Sequence, residues 1–471
     1  MICRAIAVAV VALVALPCVA CRAKPRLAAD PSPKPAEVLL SDVAILDVAS
    51  GERTAGLDVL VRAGHIERIA ATGPIELRAG VTVIRGTGAT LLPGLVDLHA
   101  HPGTSAEPTT MFSRPDPAAN LRAYLYCGVT TVVDLGDLGT WSLERRDAVA
   151  KGDLFGPTLY AAGPVVTARG GHPVGVLELV LPFWLRWYAI PRYAIEVDTP
   201  AEAAAAAEQV AEWGADFLKV IVDRIPPGAP RISEDSLRAA VHVASRRGLR
   251  TVAHIGTTDD AVDAARAGVA AWAHGVYRER IPDDRIGEMA SFGIPMVPTI
   301  VVFEALSRRG ETGRQATQLE RETVPAEVLA AVGELPTDPD QASFFAQTSR
   351  ALSEQRANWR DNVRRLHRAG VTILAGSDMQ SGVFPGAGLH RELAYLHESG
   401  LSNVEVIRAA TLDAARFLEA RDDPSFGLVA VGKRADLLLV DGDPREDLNH
   451  LGRIRAVVVR GVPVERSPLT P

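Results

Sequence analysis

Two histidines one residue apart, His99 and His101, end an apolar run that starts at Leu91. In a strand, residues i and i+2 point to the same face, so two imidazoles at this spacing can converge on one ion. Imidazole nitrogen is a common ligand of zinc and related divalent cations. The pair predicts a metal site at the end of a buried strand, although a single strand-end histidine is more often a hydrogen-bonded structural residue.

Later strand-like segments end in further ligand types, which strengthens this prediction. The candidates share a position at or near the carboxyl end of an apolar run, and they are Lys219, His254, His274 and Asp378. In a barrel of parallel strands, side chains at the carboxyl ends of the strands converge at one face. Four histidines and an aspartate at this spacing favour a metal centre over unrelated structural residues.

Lys219 stands between Leu218 and Val220 and is expected to be buried. Burial of an ammonium group is unfavourable without a partner, and it lowers the pKa of the amine. A neutral amine can react with CO₂ to form a carbamate, an anionic ligand whose two oxygens can bridge two ions. The alternatives are a snorkelling lysine and a buried salt bridge with Asp216 or Asp223, and burial alone does not choose among them.

The composition is that of a globular protein, with 47% hydrophobic and 23% charged residues in a chain of 471. This length suits one barrel and a smaller domain. The net charge of −7 and the lack of a Lys/Arg stripe argue against a nucleic-acid partner. We expect a small-molecule substrate, and the sequence leaves open whether the chain forms a homo-oligomer.

Residues 1–20 have the features of a secretory signal peptide, because Arg4 precedes an apolar run that ends at Ala20. The run is shorter than the roughly 20 apolar residues that a spanning helix needs. Cleavage after Ala20 would release the protein, whereas a lipid on Cys21 would attach it to a membrane; an uncleaved anchor helix is the third alternative. We expect an exported protein, either periplasmic or a membrane-anchored lipoprotein, with residues 21–37 as a tether.

Short alternating runs broken by glycines occupy residues 38–93 and return at residues 425–465, which predicts one small β-sandwich built from both chain ends. Residues 94–424 alternate strand-like and helix-like segments. Eight strands are expected to begin near Gly94, Val129, Thr158, Asp216, Arg250, Ala270, Ile294 and Val371. Eight such units predict an α/β fold with a (β/α)₈ TIM barrel.

Two segments interrupt the alternation, and both follow the end of a predicted strand, where barrel enzymes place their substrate loops. Residues 174–193 carry five aromatic residues, and residues 304–362 form a long polar insertion with helical character. The aromatic segment could line an apolar substrate pocket, form a protein or membrane interface, or pack as a lid on the barrel rim.

The chain resembles the amidohydrolase superfamily, specifically the imidazolonepropionase- or prolidase-like branch with a carboxylated lysine. The resemblance extends from about residue 38 to residue 461. It rests on LPGLVDLHAH at 92–101, GVTTVVD at 128–134, GGH at 170–172, GADFLKV at 214–220, AGVT at 369–372 and GKRADL at 432–437. Together these motifs are specific for the family, though not for a substrate.

The resemblance implies two divalent metals, expected to be zinc, with six ligands: His99, His101 and Asp378 at one metal, His254 and His274 at the other, and carboxylated Lys219 as the bridge. The chain departs from the family pattern at Ala273, where the family commonly has Glu, and at Val133, where it often has Arg. The first departure predicts weaker support of His274. The second removes a local salt bridge.

The expected function is hydrolysis of amide-type carbon–nitrogen bonds, as in dipeptides, N-acyl amino acids or cyclic amides, by a metal-activated water. Asp378 is expected to accept a proton from that water and to donate it to the leaving amine. His172 is expected to contact the substrate or the oxyanion, or alternatively to stabilise its loop by a hydrogen bond.

Three alternatives remain. A mononuclear deaminase of the same fold would usually lack Lys219 and would need a Glu as general acid near the fifth strand, and residues 255–258 after His254 provide none. A lactonase or phosphotriesterase uses a similar metal centre. A non-catalytic scaffold would be expected to lose ligands, whereas all six are present.

Overall fold

The computed structural model describes residues 32–34, 37–73, 80–108, 110–111, 114–311 and 313–469. The predicted signal peptide, Cys21 and most of the predicted tether lie outside these residues. Within them, no helix is both long and apolar enough to cross a bilayer. Cys127, the one cysteine of the described ranges, is buried and free.

The strands, in chain order, are β1 (Val38–Leu46), β2 (Arg53–Arg62), β3 (His65–Ala71), β4 (Thr82–Arg85), β5 (Ala89–Pro93), β6 (Leu95–Ala100), β7 (Val129–Asp134), β8 (Thr158–Ala161), β9 (Val165–Ala168), β10 (Ala194–Val197), β11 (Phe217–Ile221), β12 (Arg250–His254), β13 (Ala271–Ala273), β14 (Met296–Val297), β15 (Leu437–Asp441), β16 (Ile454–Val459) and β17 (Val462–Pro463).

The helices are α1 (Pro117–Tyr126), α2 (Trp141–Lys151), α3 (Val174–Val180), α4 (Phe183–Tyr193), α5 (Pro200–Glu212), α6 (Glu234–Arg246), α7 (Thr258–Ala267), α8 (Asp283–Ser291), α9 (Ile300–Ser307), α10 (Gln318–Thr323), α11 (Ala326–Ala330), α12 (Pro339–Arg368), α13 (Ala387–Glu398), α14 (Asn403–Ala409) and α15 (Leu412–Glu419), with a 3₁₀ turn at Leu448–Gly452.

Strands from the two chain ends pair in one eight-stranded sheet. Its order is β17-β16-β15-β5-β1-β2-β3, with β4 paired to β1, and β5 and β15 run antiparallel. Side chains alternate between the faces of a strand. Leu437 and Leu439 therefore pack in the core of this sheet, whereas Leu438 and Val440 join the large core shared with the α/β region.

The middle of the chain forms two parallel sheets, so the predicted α/β class is confirmed. One has the order β6-β7-β8 and the other β10-β9-β11-β12-β13-β14. Seven strands begin within two residues of their predicted positions. The predicted strand near Val371 is reduced to a single bridge between Ile373 and Met296, and the pairing of β9 with β10 and β11 was not predicted.

Main-chain hydrogen bonds also connect the two parallel sheets. The Asp216 amide donates to the Ala161 carbonyl at 2.8 Å, which links the residue before β11 in one sheet to the last residue of β8 in the other. The Leu98 amide donates to the Ala375 carbonyl at 3.0 Å, which joins β6 to the segment after α12. The segment at Ala375 bridges in turn to β14 through Ile373 and Met296, so both contacts join the two sheets.

The helices between the strands pack one apolar face inward. Helix α6 begins at the cap Ser233, whose side chain accepts from the Ser236 amide, and it buries Leu237, Val241 and Ala244. This spacing of three to four residues places the side chains on one stripe. The stripe holds the helix against the strands and leaves charged residues in solvent.

We predict that Leu438→Ala lowers the free energy of unfolding by about 2–5 kcal/mol, because it leaves a cavity in a fully buried site between the terminal sheet and the α/β region. Urea denaturation measures the change. Val431→Ala is the control, because Val431 is 60% exposed. Equal losses in both variants would contradict the prediction.

Candidate metal centre

The six candidate ligands meet at the carboxyl ends of the parallel strands. His99 lies in β6, Lys219 in β11 and His254 at the end of β12. The other three follow β6, β13 and the Ile373 bridge: they are His101, His274 and Asp378. His101 is half-buried and the others are buried. Residues far apart in sequence thus form one cluster.

The Asp378 carboxylate lies at the middle of three histidines. Its Oδ1 lies 3.1 Å from His101 Nε2 and 3.6 Å from His99 Nε2, and its Oδ2 lies 3.7 Å from His274 Nδ1. Gln380 Nε2 donates to Oδ2 at 3.0 Å. Asp378 has a φ of 51°, a left-handed conformation that non-glycine residues adopt rarely and that occurs often at functional sites.

These spacings fit a shared cation. Four ligands placed about 2.0–2.1 Å from a zinc ion in a tetrahedron lie about 3.3 Å from one another. The separations of 3.1 and 3.6 Å from Asp378 Oδ1 to His101 and His99 lie on either side of that value. One potential ligand atom each from His99, His274 and Asp378 lies within 4.8 Å of the others. The donor set of nitrogen and oxygen atoms therefore fits a divalent metal.

The pKa shifts of His99, His274 and Asp378 also suit metal binding, whereas burial would lower the pKa of His101 but its hydrogen bond to Asp378 raises it. Burial holds the pKa of His99 well below its usual value, and the Lys219 cation adds to this effect. Burial and the neighbouring His254 lower the pKa of His274 in the same way. Burial alone would raise the pKa of Asp378, but the surrounding histidines outweigh it and hold that pKa well below normal. Neutral nitrogens and an ionised carboxylate are what a cation requires.

Lys219 is buried beside His99, with 3.4 Å between Nζ and His99 Nε2. Burial lowers the pKa of its amine to about 7, against a smaller opposite effect of Asp378. The alternative salt bridges with Asp216 and Asp223 are absent from the described contacts of Lys219. Its amine is therefore partly neutral near pH 7, as carbamate formation requires.

The two aspartates that could have paired with Lys219 have other partners. Asp216 pairs with Arg146 at 2.9 Å, away from the cluster. Asp223 pairs with Arg278 at 2.9 Å and accepts a hydrogen bond from the Tyr277 hydroxyl. Each carboxylate therefore pairs with an arginine and not with Lys219.

Asp223 is a candidate positioning residue whose contact with His254 the sequence reasoning missed. Its Oδ2 lies 3.4 Å from His254 Nε2. Although burial opposes ionisation, His254 and Arg278 keep the pKa of Asp223 below its usual value. Gly256 leaves room for this carboxylate, because a Cβ at that position would overlap it. The signal that the sequence offered for this role was an aspartate two residues after the end of β11.

Other ligands are also held by outer contacts, which fix the orientation of metal-binding imidazoles. Thr299 Oγ1 lies 2.6 Å from His274 Nδ1. His274 therefore has an orienting contact even though Ala273 stands where the family commonly has Glu. The Gly136 carbonyl lies 3.0 Å from His101 Nδ1. That contact leaves Nε2 of His101 directed at Asp378.

Asp97 ties the loop of Asp378 to β6. Its Oδ1 accepts from the Ser377 amide at 2.8 Å, and its Oδ2 accepts from the Ser377 hydroxyl at 2.5 Å. Oδ1 also accepts from the His99 amide at 3.2 Å. One carboxylate thus connects two segments that carry candidate ligands, His99 and Asp378.

His172 lies beside the cluster in the loop after β9. Its ring centroid is 5.2 Å from that of His254, and its buried Nδ1 has no hydrogen-bond partner among the described residues. Burial, with the neighbouring His254, lowers its pKa to about 3. His172 is therefore neutral, and its Nδ1 is a buried polar atom without a protein partner among the described residues.

A cavity of about 300 Å³ opens onto the cluster. Its apolar wall comes from α3 and from the insertion after β14, and it includes Val176, Leu177, Val180, Leu306 and Phe345. Of the five aromatic residues in segment 174–193, only Tyr193 lines the cavity. Phe183, Trp184 and Trp187 are 79%, 58% and 73% exposed, so these rings are not pocket walls.

A family model described as the amidohydrolase family matches residues 90–464. The chain belongs to the amidohydrolase family. The family membership expected from its motifs is confirmed, and this amidohydrolase is a hydrolytic enzyme that acts on carbon–nitrogen bonds. The cluster around Asp378 is its candidate metal site.

Individual proteins similar to this amidohydrolase include an uncharacterized protein of Mycobacterium tuberculosis (strain ATCC 25618 / H37Rv), which is 27% identical over 79% of this chain and 85% of its own. Ochratoxinase of Aspergillus niger is 24% identical over 78% of this chain and 73% of its own. A crystal structure of a Xaa-Pro dipeptidase with bound methionine superposes with a TM-score of 0.72 at 24% identity, covering 91% of this chain and 100% of the other. The last match shows a shared fold.

We predict that Asp223→Asn weakens zinc binding by about tenfold to a hundredfold, because His254 loses the carboxylate that orients it. Competition with a chelator measures the affinity. Asp216→Asn is the matched control, because Asp216 pairs with Arg146 away from the cluster. Unchanged affinity in Asp223→Asn would contradict the positioning role.

Proposed function

We propose that this amidohydrolase hydrolyses amide-type carbon–nitrogen bonds of small molecules such as dipeptides, N-acyl amino acids or cyclic amides. The observation that carries the proposal is the approach of three imidazoles to the Asp378 carboxylate, at 3.1–3.7 Å, on the floor of a cavity. Such a cluster serves metal-assisted hydrolysis.

The fold that presents this cluster is, in our proposal, a closed (β/α)₈ barrel with a β-sandwich from residues 38–93 and 425–465. Supporting contacts are the Asp216–Ala161 and Leu98–Ala375 hydrogen bonds between the sheets and the bridge from Met296 to Ile373. In such a barrel the carboxyl ends of the strands carry the active site.

The proposed cofactor is a pair of divalent cations, with zinc as the expected metal. His99, His101 and Asp378 would hold one cation and His254 and His274 the other. Lys219 would lie between them as a carbamate, formed when CO₂ bonds to the neutral Nζ and one proton leaves. When bound, the two cations supply a water of lowered pKa and polarise the scissile carbonyl.

Asp378 is the proposed proton carrier. It accepts a proton as the water oxygen bonds to the carbonyl carbon, and it delivers a proton to the amine nitrogen as the carbon–nitrogen bond breaks. Gln380 holds its Oδ2 during these transfers. The products are a carboxylic acid and an amine. The acid receives the hydroxyl group of one water molecule, and the amine receives its remaining proton.

His172 is the proposed donor to the carbonyl oxygen. A neutral imidazole carries one N–H, and the buried ring of His172 lines the cavity next to His254. A donor directed at the oxygen where negative charge develops stabilises the transition state more than the ground state.

We predict that the protein reconstituted with zinc and bicarbonate binds about two metals per chain, and that Lys219→Ala binds one or fewer because the bridge is lost. Elemental mass spectrometry measures the content. Lys151→Ala is the control, because Lys151 is exposed at the end of α2. Equal content in the wild-type protein and Lys219→Ala would reject the bridge, and a protein that binds no metal would overturn the proposed function.

We predict that His172→Ala lowers kcat/KM for an amide substrate by about tenfold or more while metal content stays intact. The exposed His242 provides the matched control His242→Ala. Steady-state kinetics and elemental analysis are measured on the same samples. If His172→Ala has the same kcat/KM as the wild-type enzyme, the proposed contact with the carbonyl oxygen is rejected and a loop-stabilising role is favoured.

A further inference from the structure

A buried cation lies in the cavity wall apart from the proposed ligands. Arg309 follows α9 in the insertion after β14, and it is 7% exposed. It lines the same cavity as Asp378 and His172. Burial of a guanidinium group is unfavourable, and it lowers the pKa of Arg309, but arginine stays charged at neutral pH.

The structure holds this guanidinium in one place. Arg309 Nη2 donates to the Ser381 hydroxyl at 2.7 Å, and the guanidinium lies 5.2 Å from the centre of the Phe345 ring. Ser381 is three residues after Asp378, so Arg309 is tied to the loop that carries the central carboxylate. A planar cation fixed in this way loses little entropy when it binds an anion.

The other charged side chains that line the cavity have a different proposed role from that of Arg309. Among the described residues that line it, the lysine, arginine and acidic side chains are Lys219, Arg309 and Asp378. Lys219 and Asp378 belong to the proposed metal centre. The remaining lining is largely apolar on the side of α3, where Val176 and Val180 lie. A ligand here meets an apolar wall and one cation outside the metal centre.

We propose that Arg309 binds a carboxylate of the substrate, so that the preferred amides are those whose amine part is an amino acid with a free carboxylate. An apolar side group of the same substrate would pack on α3. This inference rests on the proposed function, and it narrows that function to dipeptides and N-acyl amino acids and away from neutral cyclic amides. Arginine and carboxylate match in geometry, because two parallel N–H donors face two oxygens.

The test uses two substrates that differ only in the carboxylate: N-acetyl-leucine and N-acetyl-isopentylamine, which is the same amide without it. We expect the zinc-loaded wild-type enzyme to prefer N-acetyl-leucine by about tenfold or more in kcat/KM. In Arg309→Met we expect kcat/KM for N-acetyl-leucine to fall by about tenfold or more, mainly through a higher KM. We expect kcat/KM for N-acetyl-isopentylamine to change little. Arg309→Lys should recover part of the preference, because it restores the charge but not the paired donors.

The matched control is Arg308→Met. Arg308 neighbours Arg309 in sequence, pairs with Glu304 and Glu311, and does not line the cavity. Equal losses on both substrates in Arg309→Met, with intact zinc content, would overturn the proposal, because they would assign Arg309 a structural role. Equal kcat/KM of the wild-type enzyme for both substrates would overturn it as well.

Calorimetric binding of N-acetyl-leucine separates this inference from the proposed hydrolysis. If the wild-type protein cleaves neither amide but binds N-acetyl-leucine at least tenfold more tightly than Arg309→Met does, the proposed reaction fails and the carboxylate site stands. If N-acetyl-leucine does not bind, or binds both proteins equally, the carboxylate site is rejected.

Discussion

The burial of the Asp378 carboxylate among three histidines is the constraint on which the rest of the site depends. A buried ionised group is strongly unfavourable unless charge or hydrogen bonds compensate it. The neighbouring histidines, including the hydrogen bond with His101, hold the pKa of Asp378 down against the effect of its burial, while burial lowers the pKa of His99 and His274. A bound cation would use both features, because it accepts neutral nitrogen lone pairs and neutralises the carboxylate.

That constraint explains the outer contacts. Imidazoles and a carboxylate that must meet at one point need fixed orientations, and a displaced ligand would lose its share of the binding energy. Asp223 holds His254, Thr299 holds His274, and Asp97 holds the loop that carries Asp378. Hydrogen bonds therefore fix the floor of the cavity, while part of its wall comes from the two insertions.

The burial and convergence of the candidate ligands were predictable because the relevant signals are local. His99 and His101 share a strand face by their spacing, and Lys219 stands inside an apolar run, so its burial was expected from its neighbours. Asp223 was not identified, because an aspartate after a strand has many roles and only the contact with His254 selects one. The exposed Phe183 and Trp187 show the same limit, since aromatic content by itself does not say which side of a helix faces a cavity.

The sequence by itself determined the α/β class, the strand-end position of the ligands and the membership of the family, because alternation, burial and motif spacing are properties of the chain read in order. Only the tertiary structure decided that Asp378 is central, that β9 pairs with β10 and β11, and that Arg309 lines the same cavity as the metal centre. These features join residues tens to hundreds of positions apart. Their distances are set by how sheets and helices pack, which no local pattern encodes.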